Sequence, residues 1–321
     1  MLNPRKCAIV GAGNVGATTA FSLMQSALFS EILLIDINQK RAIGEAADLG
    51  HTVPFLSPTE IYAGDYADLA DAALIIITAG AAQAPGETRL DLVRKNVRIF
   101  HTVLRDICKF NYEAILLVVT NPVDILTEVA RQLSGFPASR VIGSGTVLDT
   151  ARLKFLLGQQ LGVDARHVHA FIIGEHGDTE FPVYSSANIS GIDLDHFCNA
   201  DCPRCGEQDL QRLFEQTRDA AYHIIEAKGS TYYAIAEAVR RIATAILRDE
   251  AAILPVSVAA QGVYGLQRIS LSLPCVLGKN GVTKVLEIPL SDAEEVLLQR
   301  SAQRMRQVLS DIGFAPETQL V

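Results

Sequence analysis

KCAIVGAGNVG, residues 6–16, joins a continuous apolar run to glycines at the first, third and sixth positions of GAGNVG. The pattern G-x-G-x-x-G is weak alone, because glycine-rich turns are common. Its surroundings are what a dinucleotide site requires: an apolar strand before it and a helical pattern, ATTAFSLMQSAL (17–28), after it. In that setting Gly11 makes the tight turn, Gly13 lets the backbone approach a pyrophosphate, and Gly16 lets helix pack on strand. A helix starting near Asn14 would aim unpaired N–H groups and a positive dipole end at the phosphates. Asp36 closes the next apolar run, EILLID (31–36), twenty residues beyond Gly16. A carboxylate there accepts hydrogen bonds from ribose hydroxyls and repels a 2′-phosphate, so the spacing predicts NAD rather than NADP. An ordinary strand-end turn is the competing reading.

Working outward, ALIIITAG (73–80) and AILLVVT (114–120) repeat the short, Ile/Val/Leu-rich run of a strand covered on both faces. Between them RLDLVRKNVRIFHTVLRDICKF (89–110) spaces its apolar residues by three and four. Such alternation predicts an α/β fold with a doubly wound parallel sheet of the Rossmann type. The pattern changes after VIGSGTVLD (141–149). A helical TARLKFLLGQQLG (150–162), a strand VHAFIIG (168–174), and a polar stretch near 191–208 follow. Two helical patterns (208–229, 231–249), strands near 253–262, 273–277 and 284–288, and a final helix near 291–310 complete the chain. Asn-Gly at 280–281 reads as a hairpin turn. We expect a nucleotide-binding domain over 1–143 and a mixed α+β substrate domain over 144–321, with no flexible linker.

The 321 residues suffice for two domains, and nearly half are apolar, which argues against disorder. A formal charge of −8 leaves no basic stripe for nucleic acid. No apolar run approaches the ~18 residues of a membrane span, and MLNPRKCAIV is no signal peptide. A cytoplasmic location with reduced cysteines is expected.

FIIGEHGDTE (171–180) sets His176 just beyond a strand, between glycines and beside Glu175 and Asp178. Asp149 and Arg152 in GTVLDTARLKF (145–155) are three apart on a helical pattern and share a face. Asp149 suits orienting an imidazole and holding its proton, and Arg152 suits binding a carboxylate through its planar fork. From these residues alone, a lone histidine is more often structural than catalytic, and a surface ion pair explains Asp149 and Arg152 equally well.

GAGNVG, the Asp36 spacing, TAGAAQAPGETRLDLVRKN (78–96), TNPVD (120–124), LDTAR (148–152) and GEHGDT (174–179) occur in one order. With KGSTYYAIA (228–236) and NGVTKVLEIPL (280–290), that order resembles the L-lactate and malate dehydrogenase family over essentially the whole chain. The resemblance implies that NAD is the cofactor and that His176 exchanges a proton with the substrate carbonyl, its tautomer held by Asp149. It implies that Arg152 binds the substrate carboxylate, Asn121 bonds the reacting oxygen, and Arg89 closes in on its loop to polarise the carbonyl. Thr231 and Ile235 would line the pocket. Val15, Arg41, Tyr66, Gly80, Ala81, Asn121 and Ser144 would join Gly11, Gly13, Gly16 and Asp36 around the cofactor.

Malate-type members carry arginine at the position of Gln83, where it pairs the second carboxylate of oxaloacetate. A neutral glutamine suits pyruvate and L-lactate. Malate or a broader 2-hydroxy acid would be the alternatives within the family, and a non-catalytic dinucleotide-binding scaffold the alternative outside it. The resemblance also implies a fructose 1,6-bisphosphate site at Lys154 and His169, where lysine replaces the commoner arginine and loses its fork. A homotetramer is implied too. With only five residues before the KCAIV run, we expect no long N-terminal arm to support it. Cys198, Cys202 and Cys205, beside His196, have ligand-like spacing; surface thiols are the reading preferred to zinc, and no metal is expected.

Overall fold

The computed structural model describes residues 2–81, 86–201 and 206–314. Gln83, Cys202 and Cys205 lie outside the described residues. Strands β1 (Asn3–Val10), β2 (Glu31–Ile35), β3 (Glu60–Ala63), β4 (Ala72–Ile77), β5 (Ile115–Val118) and β6 (Val141–Gly143) run parallel in the order β3-β2-β1-β4-β5-β6. Helices α1 (Asn14–Gln25), α2 (Gln39–Gly50), α3 (Arg89–Ile107) and α4 (Val123–Ser134) connect them. β4 and β5 are almost completely buried, as expected of strands covered on both sides.

Beyond β6 come helix α5 (Val147–Leu161) and a small antiparallel sheet of β7 (Val168–Ile173), β8 (Phe181–Ile189) and β9 (Ile192–Asp193). Helices α6 (Leu194–Asp201), α7 (Glu207–Lys228) and α8 (Tyr233–Leu247) follow, then β10 (Ala252–Ala259), β11 (Ser270–Gly278), β12 (Gly281–Val285) and helix α9 (Asp292–Asp311). The last three strands do not form a separate sheet. They extend the parallel sheet as an antiparallel meander, with β10 antiparallel to β6 through the pair Ser257–Gly143. The second half therefore shares its main core with the first, while a smaller core around Leu153, Leu157, Ile172 and Leu213 supports the β7–β9 layer.

Two features position the site. Strand order reverses between β1 and β4, and a crevice opens beyond the carboxyl ends of parallel strands at such a reversal. There the two loops touch: a Cβ on Gly11, which has φ +109°, would stand 2.6 Å from the Ala79 nitrogen. The second feature ties the layers together. Gly174, just past β7, exchanges two 3.0 Å main-chain bonds with Ser272 of β11. That pins the GEHGDT loop against the central sheet.

Candidate active site

His176 sits between three buried carboxylates. Its Nδ1 lies 2.6 Å from Asp149 Oδ2 and 3.6 Å from Glu180 Oε2, and its main-chain N–H donates to Asp124 Oδ2 at 2.7 Å. Asp149 comes from the first turn of α5, and Arg152, one turn on, donates to its other oxygen at 2.9 Å. Burial opposes charge on the imidazole, but Asp149 and then Glu180 overcome it and raise the His176 pKa well above 6.5. Burial likewise works against the Asp149 carboxylate, and the His176 and Arg152 charges still hold it below the usual range. Burial and the Asp149 charge push Glu180 upward. The loop is fixed from behind by Ser301 of α9, whose hydroxyl accepts the Glu175 N–H at 2.7 Å.

Asp149, His176 and Glu180 are also the group of His, Cys, Asp and Glu side chains compact enough for a metal among the described residues. The 2.6 Å Nδ1–Oδ2 contact is a hydrogen bond, too short for two donors that each stand ~2.0–2.2 Å from a shared ion in tetrahedral geometry. The chemistry this cluster suits is holding a proton.

Arg89 opens α3 as its first residue, after Thr88, which caps the helix reciprocally with Asp91. The guanidinium leans over the His176 loop, bonding Asp178 and standing 3.7 Å from Glu175. Asn121 lies at the end of the β5 turn. One residue that motif reading passed over joins these parts. Asn96 of α3, 1% exposed, accepts the Ala81 N–H at 2.8 Å and donates to the Asn121 carbonyl at 2.9 Å. It holds the helix that carries Arg89 at a set distance from Asn121. The signal was present: Asn96 falls on the stripe of Val93, Phe100 and Val103, where a polar residue needs a reason.

On the dinucleotide side, α1 begins after Gly13 with no side-chain cap, so its first N–H groups have no capping side chain. A Cβ on Gly16 would fall 1.8 Å from the Gly11 carbonyl, whereas one on Gly13 would meet nothing within 4 Å. Packing thus requires glycine at 16, and the open space at Gly13 is where a phosphate group fits. Asp36 stands at the rim: Oδ2 accepts from Ala12 N at 2.7 Å and Oδ1 from Asn38 N at 2.8 Å. Arg41 reaches the same place, donating to Asn14 Oδ1 at 3.2 Å. Asn14 in turn donates to Ser230 at 3.1 Å, which brings the segment bearing Thr231 and Ile235 to the start of α1. Val15 is half-buried against the core, and Tyr66 is half-buried with its hydroxyl pushed up to about 12 by burial and by Asp106 and Asp36. Gly80 faces Thr120, and buried Ser144 bonds back to the Val118 carbonyl at 2.8 Å. These residues fit a bound NAD.

Lys154 is half-buried on α5, where burial lowers its pKa, and His169 is exposed on β7. α5 packs on β7, but no hydrogen bond or ion pair joins the two side chains. Cys198 corrects the expectation of surface thiols: it is buried in the smaller core, near Leu194 and Leu213. No helix among the described residues is long and apolar enough to cross a membrane.

A dinucleotide cradle at a sheet crossover, beside a half-buried histidine held by a buried aspartate and two arginines, defines an NAD-dependent oxidoreductase. Residues 5–143 match the family model for the lactate/malate dehydrogenase NAD binding domain, and residues 146–313 match that for the lactate/malate dehydrogenase alpha/beta C-terminal domain. The chain belongs to the lactate/malate dehydrogenase family. It is 53% identical over 311 residues to the L-lactate dehydrogenase of Acetivibrio thermocellus, covering 97% of this chain and 98% of the relative. It is 52% identical over 303 residues to that of Priestia megaterium, covering 94% and 95%. The structure of the minor L-lactate dehydrogenase from Enterococcus mundtii superposes with a TM-score of 0.93 at 39% identity, covering 96% of this chain and 98% of that one.

Proposed function

We propose that this chain interconverts pyruvate and L-lactate, with His176 as the residue that exchanges the proton. The observation that carries the reading is the 2.6 Å His176–Asp149 contact with Arg152 bound to the same carboxylate. One side chain thereby fixes both a proton donor and a carboxylate anchor. The nicotinamide of bound NAD supplies or accepts the hydride. With a proton on Nδ1 committed to Asp149, the proton exchanged with the substrate oxygen is that of Nε2. In pyruvate reduction His176 gives it up as charge develops on that oxygen, and in lactate oxidation it takes it back.

Arg152 offers the rest of its fork to the substrate carboxylate, and Asn121 bonds the carbonyl oxygen. Arg89 polarises that carbonyl after leaving Asp178. Its side chain is 44% exposed and that of Asp178 62%, and such pairs hold by only ~0.2–1 kcal/mol, so release costs little. Substrate choice falls to Gln83. A second carboxylate brought into the closed site would have no cationic partner there, at a cost on the order of 3–5 kcal/mol by analogy with broken buried pairs. An extra methylene changes affinity by only ~1–3 kcal/mol in an apolar pocket, so longer 2-oxo acids are rejected less sharply.

The same reading carries a cytoplasmic setting and a homotetramer. Phe21 on α1, Ile43 on α2, Phe155 on α5 and Tyr233 on α8 leave large apolar side chains exposed, which supports association. Lys154 and His169 are proposed to bind fructose 1,6-bisphosphate as an activator. NADH consumption with pyruvate, with and without that effector, tests the reading. We expect steady turnover to L-lactate and a lower pyruvate KM with the effector. The KM response should vanish in a Lys154→Gln/His169→Gln double variant. A scaffold would change NADH fluorescence without consuming it.

A further inference from the structure

The main chain of His176 rests on a buried carboxylate that the scheme above does not use. Asp124, second residue of α4 in TNPVD, is 1% exposed. Its Oδ2 accepts the His176 N–H at 2.7 Å, and its Oδ1 accepts the Ser272 hydroxyl at 2.9 Å. Ser272 is the residue whose main chain exchanges two bonds with Gly174. Asp124, Ser272 and the GEHGDT loop therefore close a ring that joins α4, β11 and the proton donor.

A neutral acceptor would satisfy a main-chain N–H at a smaller desolvation cost than a carboxylate. Among the described residues Asp124 forms no ion pair with lysine or arginine. The cation facing it is His176, which Asp149 approaches from α5 and Glu180 from the residue before β8. Burial pushes the Asp124 carboxyl up to about 6, so it is ionised at neutral pH, where a protonated His176 also favours its charge.

We propose that Asp124 is a positioning residue for proton transfer: it fixes the His176 main chain against α4 and β11 and sets a further negative charge beside the imidazole. The inference rests on the reading of His176 as the proton-transfer residue. Asp124→Asn separates charge from geometry, because the amide oxygen can still accept from His176 while the amide nitrogen meets Ser272. The ratio of variant to wild-type kcat/KM for pyruvate should decline as pH rises. Across the alkaline limb the drop should be tenfold for each unit by which loss of the Asp124 charge lowers the His176 pKa. A ratio constant at every pH, or curves that superimpose, would overturn the proposal.

If that variant does not fold, the wild-type enzyme labelled with ¹⁵N-histidine gives a second measurement. The His176 amide proton, assigned by its loss in His176→Asn, should lie downfield, exchange slowly, and move as Asp124 titrates. Rapid exchange or no movement would equally overturn the proposal. This second readout needs no turnover, so failure of the wild type to use pyruvate would sink the proposed activity without deciding the role of Asp124.

Discussion

Replacing His176 with asparagine is expected to lower kcat for pyruvate reduction by about 10³-fold, within the ~10²–10⁴ range of a positioned acid–base group. The backbone supports survive, because the Asp124 bond is to the main-chain N–H and the Gly174–Ser272 bridge involves no side chain of residue 176. NADH affinity should therefore change little, while the chemical step loses its proton. Asp149→Asn provides the companion test. An asparagine oxygen can still accept from Nδ1, so the ring stays oriented, but the charge that most raises the His176 pKa is gone. The sign follows directly. Reduction needs protonated His176, which predominates below its pKa; lowering that pKa moves the alkaline loss of kcat/KM to lower pH, tenfold in protonated fraction per unit. Lactate oxidation needs the neutral ring and should gain at the same pH. Steady-state rates in both directions across pH 5.5–9 check this, and an alkaline limb that stays in place would remove Asp149 from its assigned role.

Arg152→Gln should be nearly as damaging, for a different reason. Its side chain is only 14% exposed, so a pyruvate carboxylate held there has little water to fall back on. Leaving that charge unpaired costs about 3–5 kcal/mol, or roughly two to three and a half decades in kcat/KM. The loss should fall largely on KM. Arg152→Lys restores charge without the fork and should recover only part of it. The pH profile distinguishes the two arms of the site. Arg152 competes with His176 for Asp149, so its removal leaves Asp149 to the imidazole alone, and the alkaline limb should not move to lower pH. A downward shift like that of Asp149→Asn would mean that Arg152 serves the histidine rather than the substrate.

Much of this arrangement is legible in the chain itself, and the reasons for the rest are physical. GAGNVG and Asp36 announce themselves because phosphate approach and ribose contact demand particular residue types at set spacing. Long apolar runs such as ALIIITAG mark fully covered strands. β3 and β6 escaped because EIYA is exposed or half-buried throughout and VIG is only three residues long, too little for periodicity to register. The attachment of β10 to β6 through Ser257 and Gly143 is a tertiary choice that no local pattern encodes. Asp149 and Arg152 show their i,i+3 relation openly, whereas the pairing of Asp149 with His176 spans 27 residues, so residue chemistry suggests it and no local spacing fixes it. Asn96 and Asp124 are buried polar residues whose partners lie far along the chain, main-chain groups for Asn96 and the His176 N–H and Ser272 hydroxyl for Asp124, which makes them silent until the fold is known. Cys198 misled for the opposite reason: a polar neighbourhood in sequence, HFCNAD, became a helix whose Cys198 is turned into an apolar core.

In the proposed reading, a His–Asp proton donor and the Arg152 carboxylate anchor make this a dehydrogenase for a monocarboxylate, with Gln83 neutral where a dicarboxylate enzyme would be cationic. The most direct test compares kcat/KM for pyruvate and oxaloacetate with NADH, in the wild type and in Gln83→Arg. At least a hundredfold preference for pyruvate is expected in the wild type, from an unpaired charge of about 3–5 kcal/mol, and a shift toward oxaloacetate in the variant. Equal or better use of oxaloacetate by the wild type would contradict it.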